Sequence, residues 1–183
     1  ACEDVQGIYA PIYKSSTDAE MTVSWKPPAY DGSCPITGYA LFMDDGSGGP
    51  FSEVNTDDDP DIRNKPTLRE ATIKSPLTAA DLGTDYRLKL QVFTAMGDYT
   101  SEIVTIRFAT VPPKPSAAPE VDPEETSASK VTVTYSSTQT GGSPLLGYHL
   151  QYGEGVAGGF SDLISPGSGS MATTYTHKTG VSK

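Results

Sequence analysis

Leu82-Gly83-Thr84-Asp85-Tyr86-Arg87-Leu88-Lys89-Leu90-Gln91-Val92-Phe93-Thr94-Ala95-Met96-Gly97 runs from one glycine turn to the next with a regular pattern between them. From Arg87 onward apolar and polar residues alternate at period two. Leu88, Leu90 and Val92 fall on one side, and Arg87, Lys89 and Gln91 on the other, because successive side chains of a strand point to opposite faces. A strand with one face in a core and the other in water carries this pattern, which is the pattern of an antiparallel sheet. Gly83 and Gly97 bracket it with turns.

The upstream half extends the pattern. Met21-Thr22-Val23-Ser24-Trp25-Lys26-Pro27-Pro28 leads through Asp31-Gly32 to Ile36-Thr37-Gly38-Tyr39-Ala40-Leu41. A tryptophan on one strand, a Pro-Pro exit, a Gly-Tyr start to the next strand and a Leu82-x-x-x-Tyr86 corner, in that order, resemble a fibronectin type III domain over most of residues 7–111. The resemblance implies an all-β fold of immunoglobulin-like sandwiches of about seven antiparallel strands. It implies a core around Trp25, Tyr39, Leu82, Tyr86, Leu88, Leu90 and Val92, with the Tyr86 phenol bonding back to the upstream backbone.

The same elements recur. Met21-Thr-Val-Ser-Trp25 returns as Val131-Thr-Val-Thr-Tyr135, Gly38-Tyr39-Ala40-Leu41 as Gly147-Tyr148-His149-Leu150, and Gly49-Pro50-Phe51-Ser52 as Gly158-Gly159-Phe160-Ser161. A fixed spacing of this kind marks a tandem array. The aromatic counterparts place Tyr135, Tyr148 and Phe160 where Trp25, Tyr39 and Phe51 stand. The reading is therefore a first sandwich over 1–111, a Pro-rich linker and start of the next domain over 112–123, and a second sandwich over 124–183. Pro112, Pro113, Pro115 and Pro119 favour an extended, semi-rigid spacer. The second copy matches the first only as far as Thr173–Lys178 and the turn at Gly180, before the tyrosine corner and the last two strands. The expectation is a segment of a longer array, with completion by a neighbour's strand as the alternative.

Composition narrows the function. The 183 residues carry 13 Lys and Arg against 23 Asp and Glu, a formal charge of −10. Residues 1–111 hold 9 basic and 17 acidic side chains, or −8. No basic stripe offsets that field, so nucleic acid is not an expected partner. No run of about 18 apolar residues is present, so no membrane insertion is expected in this segment. No Gly-x-Ser-x-Gly elbow, phosphate loop or catalytic carboxylate pair appears, and neither His149 nor His177 sits at metal-ligand spacing. The chain is read as non-enzymatic, with no cofactor.

Three candidate sites remain. If 8–17 and 21–26 are antiparallel strands, Cys2 and Cys34 fall at one pole, within reach of a disulfide if their Cα atoms come within roughly 7 Å. Two free thiols in a reducing compartment are the alternative, and the resemblance to extracellular arrays favours the bond. The acidic run Asp57, Asp58, Asp59 and Asp61 offers oxygen ligands for Ca²⁺ but lacks the glycine turn and distal Glu of an EF-hand; a solvated loop is the plainer reading. Gly97-Asp98-Tyr99 lies in the loop where adhesive members of the family present an Asp to a receptor, yet no Arg precedes Gly97, and a tight turn explains the glycine equally. Asp44-Asp45-Gly46 reads as a hairpin turn. No Asn-x-Ser/Thr acceptor exists, so glycosylation, if any, is O-linked on Ser136–Ser143 or Ser165–Thr176.

The resulting expectation is a structural or adhesive repeat of an extracellular or cell-surface array, stalk or filament, with neighbouring copies as partners. Its turns are also similar to those of large protist surface proteins. Two other readings stay open: a receptor- or ligand-binding module acting through Pro27–Pro35 and residues 95–101, and a spacer in a secreted enzyme.

Overall fold

The computed structural model describes residues 3–54, 62–115, 117–136, 140–153 and 158–178. It is all-β apart from two single 3-10 turns, Ile62–Asn64 and Ala79–Asp81. Contacts divide it into two compact units, Ala1–Val111 with Gly141–Ser143 and Pro112–Thr140 with Pro144–Lys183.

The first unit is a β-sandwich. One sheet is β1 (Ile12–Ser16), β2 (Met21–Ser24) and β5 (Glu70–Ile73), in that order and antiparallel. The other is β4 (Ser52–Glu53), β3 (Ile36–Met43), β6 (Asp85–Thr94) and β7 (Gly97–Thr100), with β8 (Val104–Arg107) also pairing β6. β7 and β8 form one edge interrupted at Ser101. The buried Ser101 holds the interruption closed: its N–H donates to Leu90 O at 2.8 Å and its Oγ accepts the Leu90 N–H at 2.9 Å.

The alternation read from the sequence is the packing. Met21, Val23, Leu41, Ile73, Leu88, Leu90 and Val92 are fully buried between the sheets, with Trp25, Tyr39, Tyr86 and Phe108 among them. Burying a side chain of this size is worth about 1.5–3 kcal/mol, so this interior is what holds the unit together. Trp25 and Tyr39 meet at 5.4 Å between ring centres. The Tyr39 hydroxyl accepts Arg69 Nη1 at 2.9 Å. Burial pushes that phenol's pKa up, and the charge and hydrogen bond of Arg69 offset it only in part.

Two local readings change. The first strand begins at Ile12 because Gly7 and Gln6 pair instead with Ala29 and Tyr30. Tyr86 and Leu82 pack at the corner as expected, but among the described residues no hydrogen bond runs from the Tyr86 hydroxyl to upstream backbone.

The second unit has β9 (Glu120–Val121), β10 (Lys130–Thr134) and β13 (Thr174–Lys178) in the order β13-β10-β9, and a separate antiparallel pair, β11 (Leu150–Gly153) and β12 (Phe160–Ile164). The repeat holds to side-chain detail. Thr22 Oγ1 meets Thr72 Oγ1 at 2.9 Å across β2 and β5, and Thr132 Oγ1 meets Thr176 Oγ1 at 2.9 Å across β10 and β13. Tyr135 and Tyr148 pack edge to face at 5.2 Å, as Trp25 and Tyr39 pair in the first unit. Its interior is much thinner. Leu150 and Ile164 are buried, whereas Val131 and Val133, the counterparts of the fully buried Met21 and Val23, are only half-buried. Phe160, expected in the core, is 74% exposed.

Candidate functional site

The pole of the first unit carrying Pro27–Pro35 and the 95–101 turn is where a loop-based site was expected. The chain's own N-terminal segment lies across it. Glu3 N–H donates to Gly32 O at 2.8 Å, Gln6 and Tyr30 exchange backbone bonds at 3.0 and 3.2 Å, and Ala29 N–H reaches Gly7 O at 3.1 Å. Val5, in the middle of this strap, is buried. The Tyr30 hydroxyl donates to Glu3 Oε2 at 3.1 Å.

The strap also engages one of the candidate binding residues. Tyr99 donates its hydroxyl to Asp4 Oδ1 at 3.1 Å, and burial together with the Asp4 carboxylate pushes the phenol's pKa up. Asp98 accepts a hydrogen bond from Gln91 Nε2 beside it on the sheet. Gly97, at φ +152°, makes the turn from β6 to β7, a backbone setting that favours glycine. Met96, 64% exposed, is the side chain that leads this loop into solvent. The arrangement presents Asp98 as a partner of its own sheet. Asp98→Ala is therefore expected to change the unfolding free energy by less than about 1 kcal/mol in a urea titration.

Cys34 is buried at the same pole, two residues from the Gly32 carbonyl that holds Glu3, and no free cysteine is found among the described residues. Cys2 lies outside the described residues, as do Asp57, Asp58, Asp59 and Asp61. Among the described residues no group of three or more His, Cys, Asp or Glu side chains is placed to hold a metal ion. No helix among them is long and apolar enough to cross a membrane. A cleft of about 480 Å³ opens beside the strap, lined by Pro27, Pro28, Tyr30, Ile36, Pro66 and Arg69. Arg69 spends its Nη1 inside the fold, on Tyr39 Oη and on the carbonyls of Pro66 and Leu68.

The outer face of the larger sheet holds what the sequence reading missed. Arg87 lies over Phe51 at 5.1 Å, Lys89 over Phe51 and Phe42 at 4.7 and 5.4 Å, and Arg63 over Phe93 at 4.6 Å. Arg63 is held by a two-pronged pair with Glu53 at 2.8 and 2.6 Å. Arg87 is held by Asp44, whose side chain is only 1% exposed. Asp44 Oδ2 accepts Arg87 Nε at 2.7 Å, and Oδ1 accepts the Arg87 and Gly46 N–H groups at 2.9 and 3.2 Å. Burial pushes the carboxyl's pKa up, and the hydrogen bonds and charge of Arg87 outweigh that and hold it below the usual carboxylate range. The Asp-Gly turn hides this role, because its partner is 43 residues away in sequence.

No family model matches the chain. Solved structures similar to it are fibronectin type III domains and proteins that contain them. A fourth fibronectin type III domain of human origin shares 20% identity at a TM-score of 0.47, covering 64% of this chain and 89% of that one. The FN1–FN3 domains of chicken CNTN1 share 17% at a TM-score of 0.49, covering 96% and 56%. Domains A168–A170 of titin share 16% at 0.45, covering 58% and 32%. The chain thus spans about half of the CNTN1 structure and a third of the titin one.

Proposed function

We propose that the chain is a structural and adhesive repeat of an extracellular or cell-surface array, in which the sandwich itself is the working part and neighbouring copies are the partners. The observation that supports this is the use of the polar residues at the pole: Asp98, Tyr99 and Tyr30 are bonded to Gln91, Asp4 and Glu3 of the same unit. A loop built to capture a ligand leaves such groups unspent. The strap ties the start of the unit to the loop after β2, and Ser16 Oγ bonds Ala109 O, tying β1 to the end of the unit. Both ends of the unit are therefore fastened to its interior, as suits a spacer under extension. O-linked sugar on the exposed 165–169 turn is compatible with this setting.

Cys2–Cys34 is the second fastening in this reading. The Glu3–Gly32 bond puts the residue after Cys2 beside a residue two before Cys34. The bond would close a loop of about 30 residues and stabilise the unit by roughly 3–4 kcal/mol in the chain-entropy picture. Extension of the chain in a force spectrometer tests both claims. The first unit is expected to open in one discrete event whose length gain grows on reduction by roughly 110 Å, the span of about 32 extended residues. A gain insensitive to reductant would remove the disulfide, and extension without a discrete event would remove the spacer reading.

A further inference from the structure

We propose that Asp31-Gly32 is a site of spontaneous isoaspartate formation, and that the conversion releases the strap from the loop after β2.

The chain contains two Asp-Gly pairs, Asp31-Gly32 and Asp45-Gly46, and a serine follows each. Asp-Gly favours this chemistry because glycine has no side chain to hinder attack by its own backbone nitrogen. The two sites also share a local backbone. Their glycines stand at φ +73° and +74°, and in each the aspartate Oδ1 accepts the serine N–H at 2.9 Å. Both aspartates are exposed. Sequence and local shape are therefore matched, and the sites differ in what else holds them.

At 45–46 both reacting groups are tied down. The Asp45 carboxylate also accepts the Ser47 hydroxyl at 2.7 Å and the Gly49 N–H at 3.1 Å, and these bonds hold its pKa below the ordinary carboxylate value. Ring closure expels the hydroxyl of a neutral carboxyl, so a group held ionised reacts slowly. The attacking nitrogen is held too, because Gly46 N–H donates to the buried Asp44 Oδ1 at 3.2 Å. At 31–32 neither restraint exists among the described residues. Asp31 accepts the Ser33 N–H alone, and the Gly32 N–H has no acceptor.

The step balances without a co-reactant. The Gly32 nitrogen attacks Asp31 Cγ and a C–N bond forms, while the Gly32 amide proton and the carboxyl hydroxyl leave as water. The cyclic imide is lighter than the chain by that water. Water then adds back to one of the imide carbonyls. Addition at Cγ breaks the new bond and restores aspartate. Addition at the α-carbonyl carbon breaks the original peptide bond, so the main chain now runs through Cβ and Cγ. The product has unchanged mass and one more methylene in its backbone.

That methylene has no room. Gly32 is buried, and a Cβ built on it would stand 2.0 Å from Glu3 O. Gly32 O accepts the Glu3 N–H at 2.8 Å, and Asp31 O accepts the Cys34 N–H at 3.3 Å. In the isomer the Asp31 oxygen belongs to a free carboxylate, and Gly32 is pushed along the chain. The Glu3 bond then loses its place and the strap comes away.

Incubating the full chain at neutral pH and body temperature, labelling it with isoaspartyl methyltransferase and mapping the peptides reads the site. Label is expected at Asp31 at least about tenfold faster than at Asp45, where more hydrogen bonds must break first. A synthetic Pro28–Ile36 peptide run alongside sets the intrinsic pace. D31E keeps the charge at this exposed position but disfavours the ring, and is expected to remove the label. Amide exchange of the aged chain should show Glu3 losing at least about tenfold of its protection, while D31E aged equally keeps it. Label at Asp45 as fast as at Asp31, or none at Asp31 once the peptide has reached its plateau, overturns the site. A labelled chain whose Glu3 amide stays protected overturns the release of the strap.

Discussion

Replacing Asp44 by alanine is expected to destabilise the first unit by about 3–4 kcal/mol and lower its melting temperature by on the order of 12 °C or more. The size follows from what the carboxylate holds. Its removal strands the half-buried Arg87 and Gly46 N–H groups, each at about 1–3 kcal/mol. It also frees an Arg87 guanidinium, 34% exposed, that is otherwise clamped over Phe51. Partial hydration of that arginine keeps the loss in the lower part of the range for a broken buried pair. Asp44→Asn preserves the shape and can still accept one N–H, so about half the loss is expected. Trp25 is the single tryptophan of the chain and lies in the core of the first unit, so its fluorescence reports this melt. The same contact sets an acid limit. The folded-state pKa of Asp44 is depressed, so its contribution is complete above the unfolded carboxylate value near 3.9 and is lost as pH falls through the folded one. The wild-type chain should lose stability below about pH 4 more steeply than Asp44→Ala. Parallel acid curves for the two would remove Asp44 from this role.

That carboxylate shows where a sequence stops being legible. Leu88, Leu90 and Val92 are placed by the period of the chain, because a pleated strand converts alternation directly into burial, and Trp25 and Tyr39 by the resemblance to a fibronectin type III domain. Asp44-Asp45-Gly46 carries the same local signature whether its carboxylate is solvated or buried, and only the register of β3 on β6, which pairs Met43 with Leu88, brings it to Arg87. Phe51 and Phe160 make the converse point. They are repeat counterparts, yet Phe51 is half-buried because β6 sends Arg87 and Lys89 over its ring, and Phe160 has no such cover among the described residues. The strap at the pole was also hidden: nothing in Glu3–Gly7 has strand periodicity, and its pairing depends on where the loop after β2 comes to rest. Residue type gave the elements; the contacts that spend or expose a functional group come from non-local register.

Gly38→Ala should be comparably severe, with a loss of about 3 kcal/mol or more, at the upper end for overpacking. The glycine is the third residue of β3, just before Tyr39, and its role is one of close approach. A Cβ built there would stand 1.7 Å from Arg63 O, 2.1 Å from Arg63 C and 2.8 Å from its Cα. These are backbone atoms, so no side-chain rotation relieves the clash, and the Ile62–Asn64 turn has to move. That turn is fastened on three sides. Ile62 is buried in the core, Arg63 is bonded twice to Glu53, and its guanidinium covers Phe93. Displacing it loosens β4 and the outer face of β6 together. The mechanism makes a distinct prediction for the double variant Gly38→Ala with Arg63→Ala. Truncating the arginine side chain leaves its carbonyl in place, so the second substitution should add to the loss without rescuing it. Gly159→Ala, where a Cβ meets nothing within 4 Å, is the matched control and should fall within about 0.5 kcal/mol of wild type. A Gly38→Ala chain that unfolds in urea at the wild-type midpoint would mean the turn yields freely, and its bonds to Glu53 and Phe93 would then hold nothing in place.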